Sequence, residues 1–212
     1  MQKDRFKFRC IYCANCCSDK KTIVNATYLD ILRITKGLNL TFNEILEILG
    51  FYIYEKNFSN DFIKKMVIPP IITEKGNTFV GLLKKSTGAC IFLNEKKKCK
   101  IYNLRPMFCR TFPFTFKVLN LRRSNLKINV QMFYTIKAKE YCKGISDNAP
   151  YISNKKWVKI GKKVIVELKE NNKFIEIWNM NVKKGRIKPT AQNFIKTILK
   201  FENKMKKLTI EH

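Results

Sequence analysis

Four of the chain's eight cysteines fall within eight consecutive residues, and this cluster constrains the fold more than any other feature. The segment CIYCANCC, residues 10–17, has the spacing C-x2-C-x2-C-C. A packed core gains nothing from crowding thiols onto a tight loop, and a disulfide framework spreads its cysteines to join distant segments. Two-residue spacing instead lets successive thiolates converge on one centre, because the intervening backbone curls around it. The cluster therefore predicts a metal site.

The remaining cysteines lie in three later segments. One pair flanks the polar stretch NEKKK, one cysteine follows Arg-Pro-Met-Phe, and one opens CKGI. The single histidine, His212, is the last residue and is typical of a frayed end rather than a ligand. Acidic residues are sparse near the cysteines, which disfavours a carboxylate-rich magnesium, calcium or manganese site. The candidate metal ligands are Cys10, Cys13, Cys16, Cys17, Cys90, Cys99, Cys109 and Cys142.

The spacing favours an iron–sulfur cluster of the 4Fe-4S type over zinc. Structural zinc is commonly held by two separated cysteine pairs. Three cysteines at i, i+3 and i+6 instead suit three corners of a cubane, with a distant cysteine on the fourth iron. We expect adjacent Cys16 and Cys17 to point in different directions, so that one of them serves a second centre or another role. Zinc stays open as the alternative, as do two four-ligand centres or one centre with spare redox thiols.

Length and hydropathy bound the class of protein. A chain of 212 residues suffices for one domain with a sizeable core, or for a domain with an appendage. The start, MQKDRFKFRC, has no apolar signal-peptide core, and the longest apolar run, MVIPPII, is too short to span a bilayer. We therefore predict a cytoplasmic protein without a membrane span, in which reduced thiols act as ligands rather than disulfides.

The charge balance is strongly basic. Lys and Arg number 43 against 16 Asp and Glu, a formal net charge of +27. Such a surface attracts polyanions, so non-specific nucleic-acid binding is expected at low salt. Only eight of the 43 are Arg, which weakens the case for specific phosphate recognition. A solvated surface with no such partner explains the lysines equally well.

The chain predicts an α+β fold with short helices and β-hairpins, followed by basic helices. Helical patterns end at Gly37 and at Gly50, the second one opened by a Thr41–Glu44 capping box. Hairpin patterns turn at Gly76-Asn77, at NEKKK and near residues 123–125. We predict a cysteine-cluster domain over residues 1–150. Residues 151–212 form a basic, amphipathic helical extension whose apolar stripes pack on it, with Trp157, Ile160, Val164, Leu168, Phe194, Ile198, Phe201, Met205 and Leu208 at helical spacing.

The joint pattern resembles a known family. The chain is similar to the cysteine-cluster (CxxCxxCC) zinc- or iron-chelating domains. The resemblance lies in four segments in this order: C-x2-C-x2-C-C, CIFL, CKIYNLRPMFCRTFPF and CKGI. That family includes YkgJ-like proteins and the flagellin lysine N-methylases. The resemblance covers about residues 6 to 146, and it implies that all eight cysteines belong to one site region together with Arg105, Pro106 and Arg110.

Arg105 and Arg110 flank Cys109 and are candidate cofactor-binding residues. A tetrathiolate centre carries net negative charge, which neighbouring guanidinium groups offset while donating hydrogen bonds to sulfur.

Three functions fit the sequence. The first is a metal-binding protein with a redox or methyltransferase-related role, acting on an unknown protein or small-molecule substrate. The second is a zinc-binding, nucleic-acid-associated module, and the third is a metal chaperone or storage protein. The C-x3-C-x2-C spacing of radical S-adenosylmethionine enzymes and a Gly-rich nucleotide fingerprint are absent. A single terminal histidine also excludes a Ser-His-Asp or Cys-His catalytic arrangement.

Overall fold

The structure, a computed structural model, describes residues 5–54, 66–120 and 129–210. The helices are α1 (Asn15–Ser18), α2 (Tyr28–Leu38), α3 (Phe42–Ile48), α4 (Met107–Thr111), α5 (Ile136–Tyr141), α6 (Asn154–Lys183) and α7 (Ala191–Ile210), with a 3-10 turn at Tyr102–Leu104. The strands are β1 (Leu49–Ile53), β2 (Ile71–Thr73), β3 (Gly76–Leu82), β4 (Phe114–Asn120) and β5 (Asn129–Tyr134). This mixture of helices and small antiparallel sheets confirms the predicted α+β class.

The strands form two antiparallel sheets. The first has the order β1-β3-β2, and the second pairs β4 with β5. The predicted β2–β3 hairpin is present, but its turn is Glu74-Lys75, because Gly76 already pairs with Thr73 as the first residue of β3. Gly76 has a φ of 93°, which favours glycine there. The turn predicted near residues 123–125 lies outside the described residues.

The segment around NEKKK is a tight loop rather than a hairpin of two strands. Single antiparallel bridges join Lys84 to Cys90 and Leu93 to Cys99. The loop closes through Asn94, whose backbone N–H donates to the Lys98 carbonyl at 3.0 Å. Two cysteines predicted to flank this tip are thus held by isolated bridges.

The two glycines that were predicted to end helices have other structural roles. Helix α2 continues through Gly37 and ends at Leu38, with Asn39 in the left-handed conformation. A Cβ on Gly37 would lie 2.4 Å from Leu104, so the glycine permits close packing of that side chain. Gly50 lies inside β1 opposite Gly81, because α3 already ends at Ile48 and the chain passes directly into the strand. The predicted capping box at the start of α3 is confirmed.

The main core joins α2, the first sheet and the two long C-terminal helices. Ile34 and Ile195 are fully buried, and Trp178 is 1% exposed. The α6 and α7 side chains Phe174, Trp178, Phe194, Ile195 and Ile198 belong to the same cluster as the α2 side chains. The side chains of Met205 and Leu208 lie outside the described part of the chain. Among the described helices, none has the combined length and apolar character needed to cross a bilayer.

The N-terminal half of α6 packs on the second sheet. The Trp157 ring lies 4.6 Å from the Phe114 ring, centroid to centroid. A Cβ on Gly161 would lie 2.3 Å from the Phe116 ring, so only glycine permits this helix-to-strand approach. The division into residues 1–150 and 151–212 stays a prediction.

Candidate metal centre

The first two cysteines, Cys10 and Cys13, lie on a loop with unusual backbone angles. Tyr12 and Ala14 have φ values of 54° and 60°, a region that residues other than glycine seldom occupy. Such conformations persist only where the surroundings hold them, and they cluster at functional sites. The loop leads into α1, which carries Cys16 and Cys17 and is closed by the Cys17 N–H donating to the Ala14 carbonyl at 2.8 Å.

Hydrogen bonds tie this loop and the start of α1 to the segment of Cys142. The Arg9 N–H donates to the Gly144 carbonyl at 3.0 Å, and the Asn15 side chain donates to the Tyr141 carbonyl at 3.1 Å. A Cβ on Gly144 would lie 2.5 Å from the Arg9 carbonyl oxygen, so the close approach requires glycine. Two segments separated by about 130 residues of sequence are therefore fixed side by side.

A second tie connects the loop to Cys90. The Cys90 N–H donates to the Cys17 carbonyl at 2.8 Å, and the Cys90 side chain is buried. Cys99 is held by the bridge to Leu93 and is partly exposed. All eight cysteines are free thiols.

Cys109 and Arg110 are carried by the short helix α4. Pro106 caps the helix start and Phe112 its end, close to the positions that the prolines predicted. The N–H of Met107 donates to the buried Asp30 carboxylate at 2.9 Å. The helix carrying Cys109 is thus anchored on α2.

Asp30 belongs to a charged network that sequence reasoning missed. Its carboxylate contacts Arg33 at 2.5 Å and lies 3.9 Å from Arg110, and Glu167 contacts Arg110 at 3.2 Å and Arg33 at 3.5 Å. Asp30 also forms a full capping box with Thr27. The sequence signal for that box, Thr-x-x-Asp before an apolar periodic run, was available. Nothing in the sequence indicated that Glu167 would join the charged network around Asp30.

The cysteines line two adjoining cavities. The thiol cavity, of about 400 Å³, is lined by Cys10, Cys13 and Cys142, and the apolar cavity, of about 540 Å³, by Cys90. The four thiols that line both cavities are those of Cys16, Cys17, Cys99 and Cys109. The structure therefore brings all eight predicted ligands to one region.

The adjacent thiols of Cys16 and Cys17 face each other. Sequence reasoning expected them to point in different directions, but their Sγ atoms lie 3.9 Å apart at the start of α1. A hydrogen bond from Cys17 lowers the pKa of Cys16 to about 7. The same hydrogen bond, followed by burial, raises the pKa of Cys17. Without metal, Cys16 is therefore the thiol of the pair that loses its proton first.

Four further thiols have raised pKa values because they are removed from water. Burial is the leading cause of the raised pKa at Cys90, Cys99, Cys109 and Cys142, and neighbouring cysteines add to it. Metal binding to these thiols must release protons, since the thiolate is the ligand.

The two arginines occupy different settings. Arg105 lines both cavities, donates from Nε to the Tyr102 carbonyl at 2.9 Å and stacks 3.8 Å over the Tyr102 ring. Its positive charge helps to lower the pKa of Cys16. Arg110 lines the thiol cavity and pairs with Glu167. Its buried Nε has no hydrogen-bond partner among the described residues.

The thiol donors suit a thiophilic metal, and they are spread around the cavities rather than gathered at one point. Soft thiolates select zinc and iron–sulfur centres over magnesium, calcium or manganese. Within residues 5–54, 66–120 and 129–210, no three Cys, His, Asp or Glu donors already converge as they would around one ion. The thiols instead surround the two cavities.

Comparison with known proteins identifies the family. Residues 9–143, more than half of the chain, match the family described as "CxxCxxCC: Putative zinc- or iron-chelating domain". The chain belongs to this family, which confirms the resemblance found in its motifs, and it carries a zinc- or iron-chelating domain. It is similar to an uncharacterised protein of Methanocaldococcus jannaschii, 32% identical over 139 residues, 65% of this chain and 58% of the relative. The match thus spans less than two thirds of that relative. No solved structure matches the chain.

Proposed function

We propose that the cysteines hold iron–sulfur clusters of the 4Fe-4S type and that the protein has a redox or methyltransferase-related role in the cytoplasm. The observation that carries this proposal is the placement of eight thiols around two adjoining cavities, four of them shared. Eight thiolates satisfy two four-ligand centres.

The thiols divide into two sets of four in this proposal. The first set is the C-x2-C-x2-C run with Cys142, whose pKa is raised by burial and then by Cys13 and Cys16. The second set is Cys17, Cys90, Cys99 and Cys109; the pKa of Cys109 is raised by burial and then by Cys90, Cys16 and Cys99. The contact between Cys16 and Cys17 would place the two centres side by side.

The spacing of the first three cysteines supports a cluster over a single zinc ion. Structural zinc is commonly held by two separated cysteine pairs. Cys10, Cys13 and Cys16, at i, i+3 and i+6, suit three corners of a cubane.

The surrounding residues have defined roles in this proposal. Arg105 would offset the negative charge of the thiolates, and the unpartnered Nε of Arg110 would donate to a sulfur atom. Such clusters supply one-electron transfer when bound. The chain itself would orient the thiolates and, through its aromatic residues, limit the access of water.

Anaerobic purification tests the metal. We expect a brown protein with broad absorbance at about 400 nm, from thiolate-to-iron charge transfer. Colourless protein with stoichiometric zinc would overturn the cluster proposal and favour the zinc alternative.

One observation favours the second candidate, a zinc-binding module on nucleic acid. The start of α6 exposes five lysines: Lys155, Lys156, Lys159, Lys162 and Lys163. A basic helical face of this kind attracts phosphate. The metal chaperone or storage alternative has no comparable support beyond the density of cysteines.

A further inference from the structure

We propose that the apolar cavity is a binding site for a neutral, apolar small molecule, seated beside the thiols of Cys17, Cys90 and Cys109. This inference goes beyond the metal centre and does not depend on which metal the cysteines hold. It rests on the walls of the cavity, on its polar groups and on its opening.

The walls of the cavity are apolar and come from four parts of the fold. Leu82 closes β3, Phe108 lies on α4, Phe116 on β4, and Val164 and Leu168 on α6. Without metal the cavity measures about 540 Å³, within the range of small-molecule sites, and a centre on Cys17, Cys90, Cys99 and Cys109 would take part of this space beside the ligand. Moving an apolar ligand from water into a cavity with apolar walls lowers the free energy, because apolar surface of both leaves water.

The cavity is open to solvent. Ile136 and Val67 line it and are 79% and 61% exposed. Exposed apolar side chains of this kind are typical of a ligand-binding groove. A molecule from solution can therefore enter the cavity that the thiols line.

Polar groups along the cavity are already bonded to the protein. The Tyr134 hydroxyl donates to a backbone carbonyl at 2.7 Å, and the Thr111 hydroxyl to another at 3.0 Å. The Thr135 hydroxyl caps α5 by accepting from a backbone N–H at 3.1 Å. Lys137 pairs with the Asp19 carboxylate at 3.3 Å. These groups leave no unmatched charge for a ligand to satisfy.

The other cation of the lining is also engaged. Arg105 stacks over Tyr102 and donates to its carbonyl. The Arg105 charge lies among the thiols that line the cavity and helps to lower the pKa of Cys16, so an anionic ligand would compete with a thiolate for this cation. A neutral ligand does not compete in this way, and this is why the proposal specifies that class.

The test measures binding of N-phenyl-1-naphthylamine, a neutral apolar probe, by equilibrium dialysis at about 150 mM salt, which screens surface charge. Dialysis reads the bound probe directly and is independent of the colour of the metal centre. We expect saturable binding of one probe per chain, displaced by 2-methylnaphthalene and not by the anion 2-naphthoate.

Two variants on one helix provide the matched comparison. Val164 lines the cavity, whereas Val166 is 44% exposed and does not. Val164→Phe should weaken probe binding by about tenfold or more, while Val166→Phe should leave it within about twofold. If Val164→Phe fails to fold, Ile136→Glu, at an exposed position of the lining, should still weaken binding severalfold by placing a carboxylate beside the apolar probe.

Three results would overturn the inference. They are the absence of saturable binding, equal binding by the Val164 and Val166 variants, and stronger displacement by the carboxylate than by the hydrocarbon. A colourless zinc protein that binds the probe would refute the cluster proposal and leave this inference intact.

Discussion

The carboxylate of Asp30 on α2 accepts a hydrogen bond from the backbone N–H of Met107, 77 residues later in the chain. That N–H is the first of the helix that carries Cys109, so a buried acid on one helix fixes the position of a candidate ligand on another. The same carboxylate caps its own helix and pairs with Arg33.

Removal of this acid should destabilise the protein strongly. Asp30 is 0% exposed, and Asp30→Ala leaves two backbone N–H groups without their partner and removes the shorter of the two ion pairs described for Arg33. Loss of one member of a buried ion pair typically costs about 3–5 kcal/mol, and we expect a loss of this order in urea unfolding, together with reduced metal content.

Glu44→Ala is the matched control for Asp30→Ala. Glu44 closes the second capping box of the chain, but it lies at the surface. The control should lose far less stability and keep its metal. Equal losses in the two variants would refute the special role of Asp30.

Substitution of candidate ligands should release metal. Cys13→Ser and Cys109→Ala are expected to lower metal content and solubility, because metal binding and folding are coupled at sites built from distant segments. Ser18→Ala, at the exposed end of α1, is the control and should retain metal. A cysteine variant with full metal and an unchanged melting temperature would show that this cysteine is not a ligand.

In the metal-free protein, Cys16 should be the thiol that reacts first at neutral pH. Its pKa is lowered to about 7 and its side chain is exposed. Because the thiolate is the nucleophile, the rate of alkylation should rise with pH through about 7 and fall below it. Iodoacetamide labelling with peptide mass spectrometry measures this rate.

Cys17→Ala provides the comparison for the alkylation experiment. It removes the hydrogen bond that lowers the pKa of Cys16, so the midpoint should move upward, toward the ordinary thiol value. A midpoint that stays in place in Cys17→Ala would contradict the assigned cause.

Binding to nucleic acid should be electrostatic and sequence-blind. We expect the chain to bind DNA and RNA at low salt and to lose both by about 150 mM salt, because scattered lysines form no matched track for phosphates. The nucleic-acid alternative predicts salt-resistant binding that prefers one structure, such as single-stranded RNA.

Charge-matched variants separate these outcomes. If binding is non-specific, neutralising the five lysines at the start of α6 should lower the affinity for nucleic acid no more than neutralising five other exposed lysines. A selective loss of salt-resistant binding in the α6 variant would favour the nucleic-acid module. The control set is Lys75, Lys96, Lys97, Lys98 and Lys100.

Local patterns predicted local structure well. The Thr41–Glu44 capping box, the Pro106 helix start and the apolar stripe of α6 each depend on residues a few positions apart, and each has its expected form. The predictions for Gly37 and Gly50 were wrong because the roles of both glycines depend on neighbours from elsewhere in the fold. Leu104, which packs on Gly37, lies 67 residues away in sequence.

The candidate site, too, could be predicted only where it depends on local sequence patterns. Cysteine spacing predicted the eight candidate ligands, and their assignment as ligands stays a prediction. The charged network and the apolar cavity were beyond sequence reasoning, because Asp30, Arg110 and Glu167 meet only after three separate segments have packed. No periodic pattern in a single segment encodes such a meeting.

Helix α6 is a rigid rod of 30 residues, about 45 Å long, that serves two parts of the molecule at once. Its first half bounds both cysteine cavities, and its second half places Phe174 and Trp178 in the main core. Because one continuous helix makes both contacts, a shift of its second half in the core would also displace its first half at the cavities. We therefore expect substitutions at Trp178 to alter the surroundings of the thiols although Trp178 lines neither cavity.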